Sequence, residues 1–108
     1  KVRMRNAFDN NPADFDAFRK PVTGFANPNF ETAFFYFNSA DNIEVLIKML
    51  DQGNVNPQGQ PTIALLYGSA TPLRIEITVT DTTNGAVKNY SNAVFLQQGT
   101  SDFTAFVK

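Results

Sequence analysis

Three glutamates, Glu31, Glu44 and Glu76, are the side chains with which this chain could carry out acid–base chemistry. The sequence contains neither histidine nor cysteine, which excludes Ser-His-Asp and Cys-His catalysis and metal sites built from imidazole or thiolate. A hydrolase would therefore need two carboxylates held a defined distance apart in a cleft. Glu44 and Glu76 fall at regular strand positions that predict contact with solvent. We therefore expect no enzyme, and a carboxylate-based hydrolase is the hypothesis with the least support.

Oxygen-bearing side chains are also concentrated between Asp9 and Asp16, where they could bind calcium. The candidate ligands are Asp9, Asp14 and Asp16. The spacing, the central glycine and the terminal glutamate of an EF-hand loop are missing, and Asp and Asn residues commonly bond to their own backbone in turns. We therefore expect turns in this segment, with no metal ion and no cofactor.

Aromatic residues in the first third of the chain could form a binding surface, because eight of the eleven phenylalanines lie within the first 37 residues. In a strand, Phe35 and Phe37 would share one face, and Phe34 and Tyr36 would share the other. One pair should belong to the core, and the other either packs in a second layer or forms a binding platform. We predict a functional face made of residues 9–29 and one side of residues 34–37. Its candidate binding residues are Phe15, Phe18, Phe34 and Tyr36.

The composition indicates one folded domain over residues 1–108, because 43% of the residues are hydrophobic and 18% are charged. The net charge of −1 provides no long-range field to attract a phosphate backbone, so we expect no nucleic-acid partner. No apolar run approaches the ~20 residues of a membrane span. Since the chain begins with Lys1 rather than methionine, we expect a processed or excised piece.

The segment Leu73–Thr80 organises the rest of the chain. Its aliphatic residues alternate strictly with charged residues and threonines, which predicts a half-buried β-strand. Asn84-Gly85 then predicts a two-residue type I′ turn and a return strand over residues 86–90. That turn would place Asp81 opposite Lys88.

Shorter patterns predict the other elements of the chain. The segment Ile43–Asp51 also fits a helical face, but its β-branched residues favour a strand. Residues 9–29 read as a long ordered loop, and residues 52–61 as a connecting loop. About seven to nine short strands predict an all-β domain, either a single antiparallel β-sandwich or a closed β-barrel. The further predicted strands are Lys1–Phe8, Glu31–Asn38, Thr62–Tyr67, Ala93–Leu96 and Asp102–Val107.

An ordered series of short motifs resembles a small all-β domain found in many uncharacterised secreted bacterial proteins, often near their C-termini. The resemblance covers about two thirds of the chain. It implies an extracellular, non-catalytic accessory domain and supplies no catalytic residues. Members often carry a tryptophan in the aromatic strand, which this chain lacks. The motifs that carry the resemblance are Phe34-Phe35-Tyr36-Phe37, Asn42-Ile43-Glu44-Val45, Lys48-Met49-Leu50-Asp51, Thr78-Val79-Thr80-Asp81-Thr82 with Gly85 and Tyr90, and Asp102-Phe103-Thr104-Ala105-Phe106.

These observations lead to two functional hypotheses besides the hydrolase. The first is a secreted binding or adhesion module that presents aromatic residues and amides to a glycan or a protein. The second is a structural subunit that pairs through its strand edges with copies of itself in a filament or surface layer. A concentration series would distinguish them, because only the second forms a polymer.

Overall fold

A computed structural model of the chain describes residues 2–5, 14–16, 18–20, 30–93 and 99–108, and it describes the side chains of residues 18–20, 31–93 and 99–108. The described residues form nine strands and no helix, and hence no helix that could cross a membrane. The expectation of an all-β fold is therefore confirmed. The strands are β1 (Val2–Arg5), β2 (Asp14–Asp16), β3 (Phe18–Lys20), β4 (Phe30–Tyr36), β5 (Val45–Leu50), β6 (Thr62–Ser69), β7 (Arg74–Thr80), β8 (Val87–Asn92) and β9 (Gly99–Val107).

The strands form two antiparallel sheets. The four-stranded sheet has the order β2-β1-β7-β8, and the five-stranded sheet has the order β3-β4-β5-β6-β9. The described strands do not close into a barrel, because each sheet ends in two edge strands. One core cluster contains buried side chains from both sheets, including Val45 and Leu65 from one and Ile75 and Ile77 from the other.

The alternation in β7 has the predicted consequence. Ile75 and Ile77 are 0% and 1% exposed, and burying each contributes about 1.5–3 kcal/mol. On the opposite face, the Arg74 guanidinium donates a hydrogen bond to the Glu76 carboxylate at 3.3 Å. The first predicted strand is also present, since β1 pairs with β7 and places Val2 opposite Ile77.

The segment after residue 43 forms a strand rather than a helix, as predicted. In β5, Val45 and Ile47 are buried on one face, whereas Lys48 on the opposite face is exposed. β5 lies between β4 and β6, where Phe35 is opposite Val45 and Tyr67 is opposite Ile47. Period-two burial inside a sheet therefore decides between the two structures that the sequence allowed.

The β7–β8 hairpin differs from its prediction in register. Asp81 is opposite Ala86, and its backbone amide donates a 2.8 Å hydrogen bond to the Ala86 carbonyl. Lys88 is therefore opposite Val79 instead of Asp81. The loop is therefore four residues long, from position 82 to position 85. The Asp81 carboxylate accepts hydrogen bonds from the amide and hydroxyl of Thr83, which lower the pKa of Asp81. Gly85 follows at φ 78°, a left-handed conformation that suits glycine.

The prediction of a loop over residues 9–29 is wrong where β2 and β3 form. β2 is an edge strand of the four-stranded sheet, and β3 is an edge strand of the five-stranded sheet. β2 ends at Asp16 and β3 begins at Phe18, so these two consecutive strands belong to different sheets. Both strands contain three residues, which is too short for an alternating pattern to identify.

The last strand begins earlier than the predicted Asp102, because Gly99 and the two residues after it already belong to β9. Ala93 follows the end of β8, and the rest of the strand predicted at residues 93–96 lies outside the described residues. Residues 103–105 of β9 face the single residue Ala64 of β6, which produces a bulge.

Two tyrosines connect the sheets on the side where β8 and β9 are the edge strands. The buried Tyr67 hydroxyl donates to Oδ1 of Asn92 at 2.8 Å, from β6 to β8. The Tyr90 hydroxyl donates to Oδ2 of Asp102 at 2.7 Å, from β8 to β9. Burial, together with this carboxylate, raises the pKa of Tyr90 above the usual tyrosine value. The four side chains fix the relative position of the two sheets on this side.

Candidate functional site

The pairing of β3 with β4 brings two of the predicted binding residues together. Phe18 is opposite Tyr36 in the ladder, and their rings stack with centroids 5.5 Å apart and an interplanar angle of 28°. Phe18 is 59% exposed, whereas Tyr36 is half-buried. One face of the stacked pair is therefore accessible to a ligand.

The register of β4 decides which of its aromatic residues are available. Phe37 is 7% exposed within the core cluster, and Phe35 packs against that cluster. Phe34 and Tyr36 consequently lie on the opposite, outer face, together with Phe18. We call Phe18, Phe34 and Tyr36 the aromatic corner.

Phe15 does not belong to this group, contrary to the sequence prediction. It lies in β2, opposite Met4, in the four-stranded sheet. The chain changes sheets between Phe15 and Phe18, so proximity in the sequence does not place the two residues on one surface. The side chain of Phe15 is outside the described part of the structure.

The aromatic corner continues into an apolar surface on the outer face of the five-stranded sheet. Leu46 of β5 is opposite Phe34 of β4. On the next strand, β6, Leu66 is opposite Lys48 of β5. The leucines are half-buried. The outer face of the other sheet is polar instead, with the Arg74–Glu76 ion pair and other hydrogen-bonded side chains. Among the residues whose side chains the structure describes, this apolar outer surface thus belongs to the five-stranded sheet.

Two lysines lie on this same outer face. Lys20 is opposite Phe34, and Lys48 is opposite Thr32. Lys48 is exposed and Lys20 is half-buried. Glu44 follows at the end of the face, where its Oε2 accepts a 3.2 Å hydrogen bond from the amide of Phe37. The face therefore combines aromatic rings with cations.

The calcium candidates are placed differently from the prediction. Asp14 and Asp16 lie in β2, opposite Arg5 and Arg3 respectively, so the interpretation of these residues as turn formers is wrong. Asp9 lies outside the described residues. Within the described ranges, no three residues among His, Cys, Asp and Glu are grouped closely enough to hold a metal ion.

The three glutamates are distributed over different elements. Glu31 in β4 forms a 3.2 Å ion pair with Arg19, and Glu76 in β7 forms the pair with Arg74. Glu44 binds the backbone of Phe37 before β5 begins. Each carboxylate thus has its own hydrogen-bond donor, and the register places Glu31 and Glu76 in different sheets.

A cleft of about 550 Å³ opens between the two sheets, on the face of β4 opposite to the aromatic corner. The Arg19–Glu31 pair lies at its rim, where the side chains are 55% and 67% exposed. Of the predicted binding residues whose side chains the structure describes, Phe18, Phe34 and Tyr36, none lines this cleft. Its other lining residues are Ala33, Phe35, Ile47, Met49, Val79, Thr80 and Thr82.

Sequence reasoning did not identify Leu46 or Lys48 as part of the site, and it included Lys20 only within the range 9–29, without naming it. Their common face depends on the register of β3 with β4 and of β4 with β5, which a single sequence does not supply. The alternation within β5 does indicate that Lys48 and Leu46 point away from Val45. Only the pairing with β4 shows that the aromatic corner lies beside them.

Comparisons of the chain with protein-family models, with curated proteins and with solved structures find no match.

Proposed function

We propose that the protein is an extracellular, non-catalytic binding module, a β-sandwich whose aromatic corner binds a glycan. The observation that carries the proposal is the stacked, exposed pair of Phe18 and Tyr36 on an outer sheet face. Sugar rings present C–H groups that pack on aromatic faces, and the Tyr36 hydroxyl offers a polar contact beside them. The shared core of the two sheets supports the sandwich.

The distribution of exposure favours a narrow ligand over a protein. Within the aromatic corner and its neighbour Leu46, Phe18 is 59% exposed, whereas Phe34, Tyr36 and Leu46 are half-buried. A protein partner usually buries about 800 Å² on each side, around a buried core of anchoring residues. A polysaccharide chain needs only a short platform, which the aromatic corner provides.

The extracellular location is part of the proposal. It rests on the resemblance to a small domain of secreted bacterial proteins. Outside the cell, a glycan-binding platform would also be in contact with polysaccharides. The lack of cysteine is compatible with this location.

The test is to measure binding of soluble polysaccharides by isothermal titration calorimetry for the wild type and for Phe18→Ala. We expect Phe18→Ala to weaken binding by about tenfold or more, because the exposed ring of the platform is removed. Phe103→Ala is the matched control, since Phe103 is 52% exposed on β9, at the far edge of the same sheet. Equal loss in both variants, or no binding by the wild type, would contradict the proposal.

A second candidate function is self-assembly through strand edges, which one observation favours. β9 pairs only with β6 among the described strands, and it has nine residues with a single charge, Asp102, that binds Tyr90. Edge strands without charges or prolines tend to pair with the edge strand of another molecule. The bulge in β9 opposes such pairing. Light scattering over a concentration series decides, because polymer growth supports self-assembly and a constant monomer mass supports the binding module.

A further inference from the structure

We propose that the glycan bound at the aromatic corner is an acidic polysaccharide, whose uronic acid carboxylates pair with Lys20 and Lys48. This inference rests on the proposed function and adds the chemical class of the ligand. It follows from the charges of the outer face and from their positions relative to the rings.

Lys20 and Lys48 differ from three other cations of the described residues in having no carboxylate partner. Lys88 also has none among the described residues, but it lies on β8 in the other sheet. Arg19, Arg74 and Lys108 each form an ion pair, at distances of 3.2, 3.3 and 2.6 Å. Lys20 and Lys48 form no ion pair with any described residue. Their ammonium groups therefore remain available to an anionic ligand, and each gives a strong hydrogen-bond donor for a carboxylate.

The register gives the spacing of the two positions. Lys20 lies on β3, and Lys48 lies two strands away on β5 and one pleat repeat further along the sheet. With strands about 4.8 Å apart and about 6.8 Å between alternate residues, their Cα atoms are ~12 Å apart. Phe34 lies between them, next to Lys20 in the ladder. A chain of sugars crossing the rings can thus place carboxylates near both lysines.

The other charge near this face does not oppose the arrangement directly. Glu44 lies beyond Tyr36, and its carboxylate is held by the amide of Phe37. The net charge of −1 also shows that attraction must be local, through contacts at the two lysines, rather than through a long-range field. Salt should therefore weaken the interaction by screening these exposed contacts.

The test uses polygalacturonate, alginate and hyaluronate, each compared with its carboxyl-methylated form, with binding measured by calorimetry on the intact chain. Methylation removes the charge and keeps the sugar rings. We expect at least one polyuronate to bind more tightly than its ester. We also expect Lys20→Gln and Lys48→Gln each to weaken that binding about two- to fivefold, as is usual for an exposed ion pair.

Arg19→Gln is the matched control, because it removes a neighbouring positive charge from the opposite face of β3. Unchanged affinity in this variant, with loss in both lysine variants, supports the inference. If ester and acid bind equally and Phe18→Ala still weakens both, the acidic-ligand inference is overturned and the glycan-binding proposal stands. If wild type binds neither form of any polymer but binds a neutral polysaccharide, the inference is likewise overturned. If it binds no polysaccharide of either kind, both fail.

Discussion

Two aromatic pairs with nearly equal ring separations, one stacked at 28° and the other tilted at 56°, lie at opposite edges of the sheets. Phe18 and Tyr36 have ring centroids 5.5 Å apart, and Tyr67 and Tyr90 have centroids 5.7 Å apart. The second pair lies between the sheets, where Tyr67 is 6% exposed and both hydroxyls have hydrogen-bond partners. The first pair lies on an outer face, with one ring 59% exposed.

The difference shows that contact between rings does not reveal what a pair does. The tyrosine pair packs against the core, and its two hydroxyls donate hydrogen bonds to Asn92 and Asp102. Removing this pair should therefore lower the free energy of unfolding. The Phe18–Tyr36 pair borders solvent, so less of its apolar area is buried by folding than in the tyrosine pair. Its removal should instead affect ligand binding.

The largest effect is expected from Tyr67→Ala. The substitution deletes a buried ring and the hydroxyl that donates to Asn92, so we expect a loss of about 3–5 kcal/mol in the free energy of unfolding. Urea denaturation measures it. A loss below about 1 kcal/mol would show that the pair is not structural, and the comparison would fail.

An intermediate effect is expected from Tyr90→Phe, because it removes the hydrogen bond to Asp102 but keeps the ring. At neutral pH we expect a loss of about 1–2 kcal/mol. Since the pKa of Tyr90 is raised in the folded protein, its contribution is complete below pH ~10, the usual tyrosine value, and is lost as the pH rises above it.

Denaturation of wild type and Tyr90→Phe between pH 7 and pH 11.5 checks this prediction. The difference in stability between the two proteins should shrink above pH ~10. A difference that stays constant through that range would show that proton donation to Asp102 does not contribute.

The smallest effects on stability are expected at the aromatic corner. Phe18→Ala should change the free energy of unfolding by less than about 0.5 kcal/mol, and Tyr36→Ala by less than about 1 kcal/mol. Both substitutions should weaken glycan binding. If Tyr36→Ala instead costs several kcal/mol, its ring belongs to the structural core and the corner is not a binding platform.

The elements that the sequence predicted well are those whose local pattern repeats over several residues. β7 and β5 show alternation over at least six positions, and their burial follows it. β2 and β3 contain three residues each, so their structure depends on neighbouring strands rather than on a pattern of their own. The hairpin register was missed because Asp81 organises a longer loop than Asn84-Gly85 alone would indicate.

The site was predictable to the same limited degree. The sequence showed that Phe34 and Tyr36 share a face, but not which face enters the core. That choice follows from Val45 and Ile47, which are buried opposite Phe35 and Ala33. Contacts such as Tyr67 with Asn92 connect residues 25 positions apart and have no local signature.

The brevity of β3 has a consequence for affinity. Three residue pairs join β3 to β4, so the free energy that opens this edge locally can be far smaller than that of global unfolding. The aromatic corner is complete only while Phe18 is held against Tyr36. The apparent dissociation constant for a ligand is therefore inversely proportional to the fraction of molecules in which β3 is paired with β4. Substitutions that weaken the β3–β4 pairing would then lower affinity without touching the ligand, by reducing the population of the closed edge. In hydrogen exchange, a bound glycan would slow the amides of β3 while leaving those of β7 unchanged.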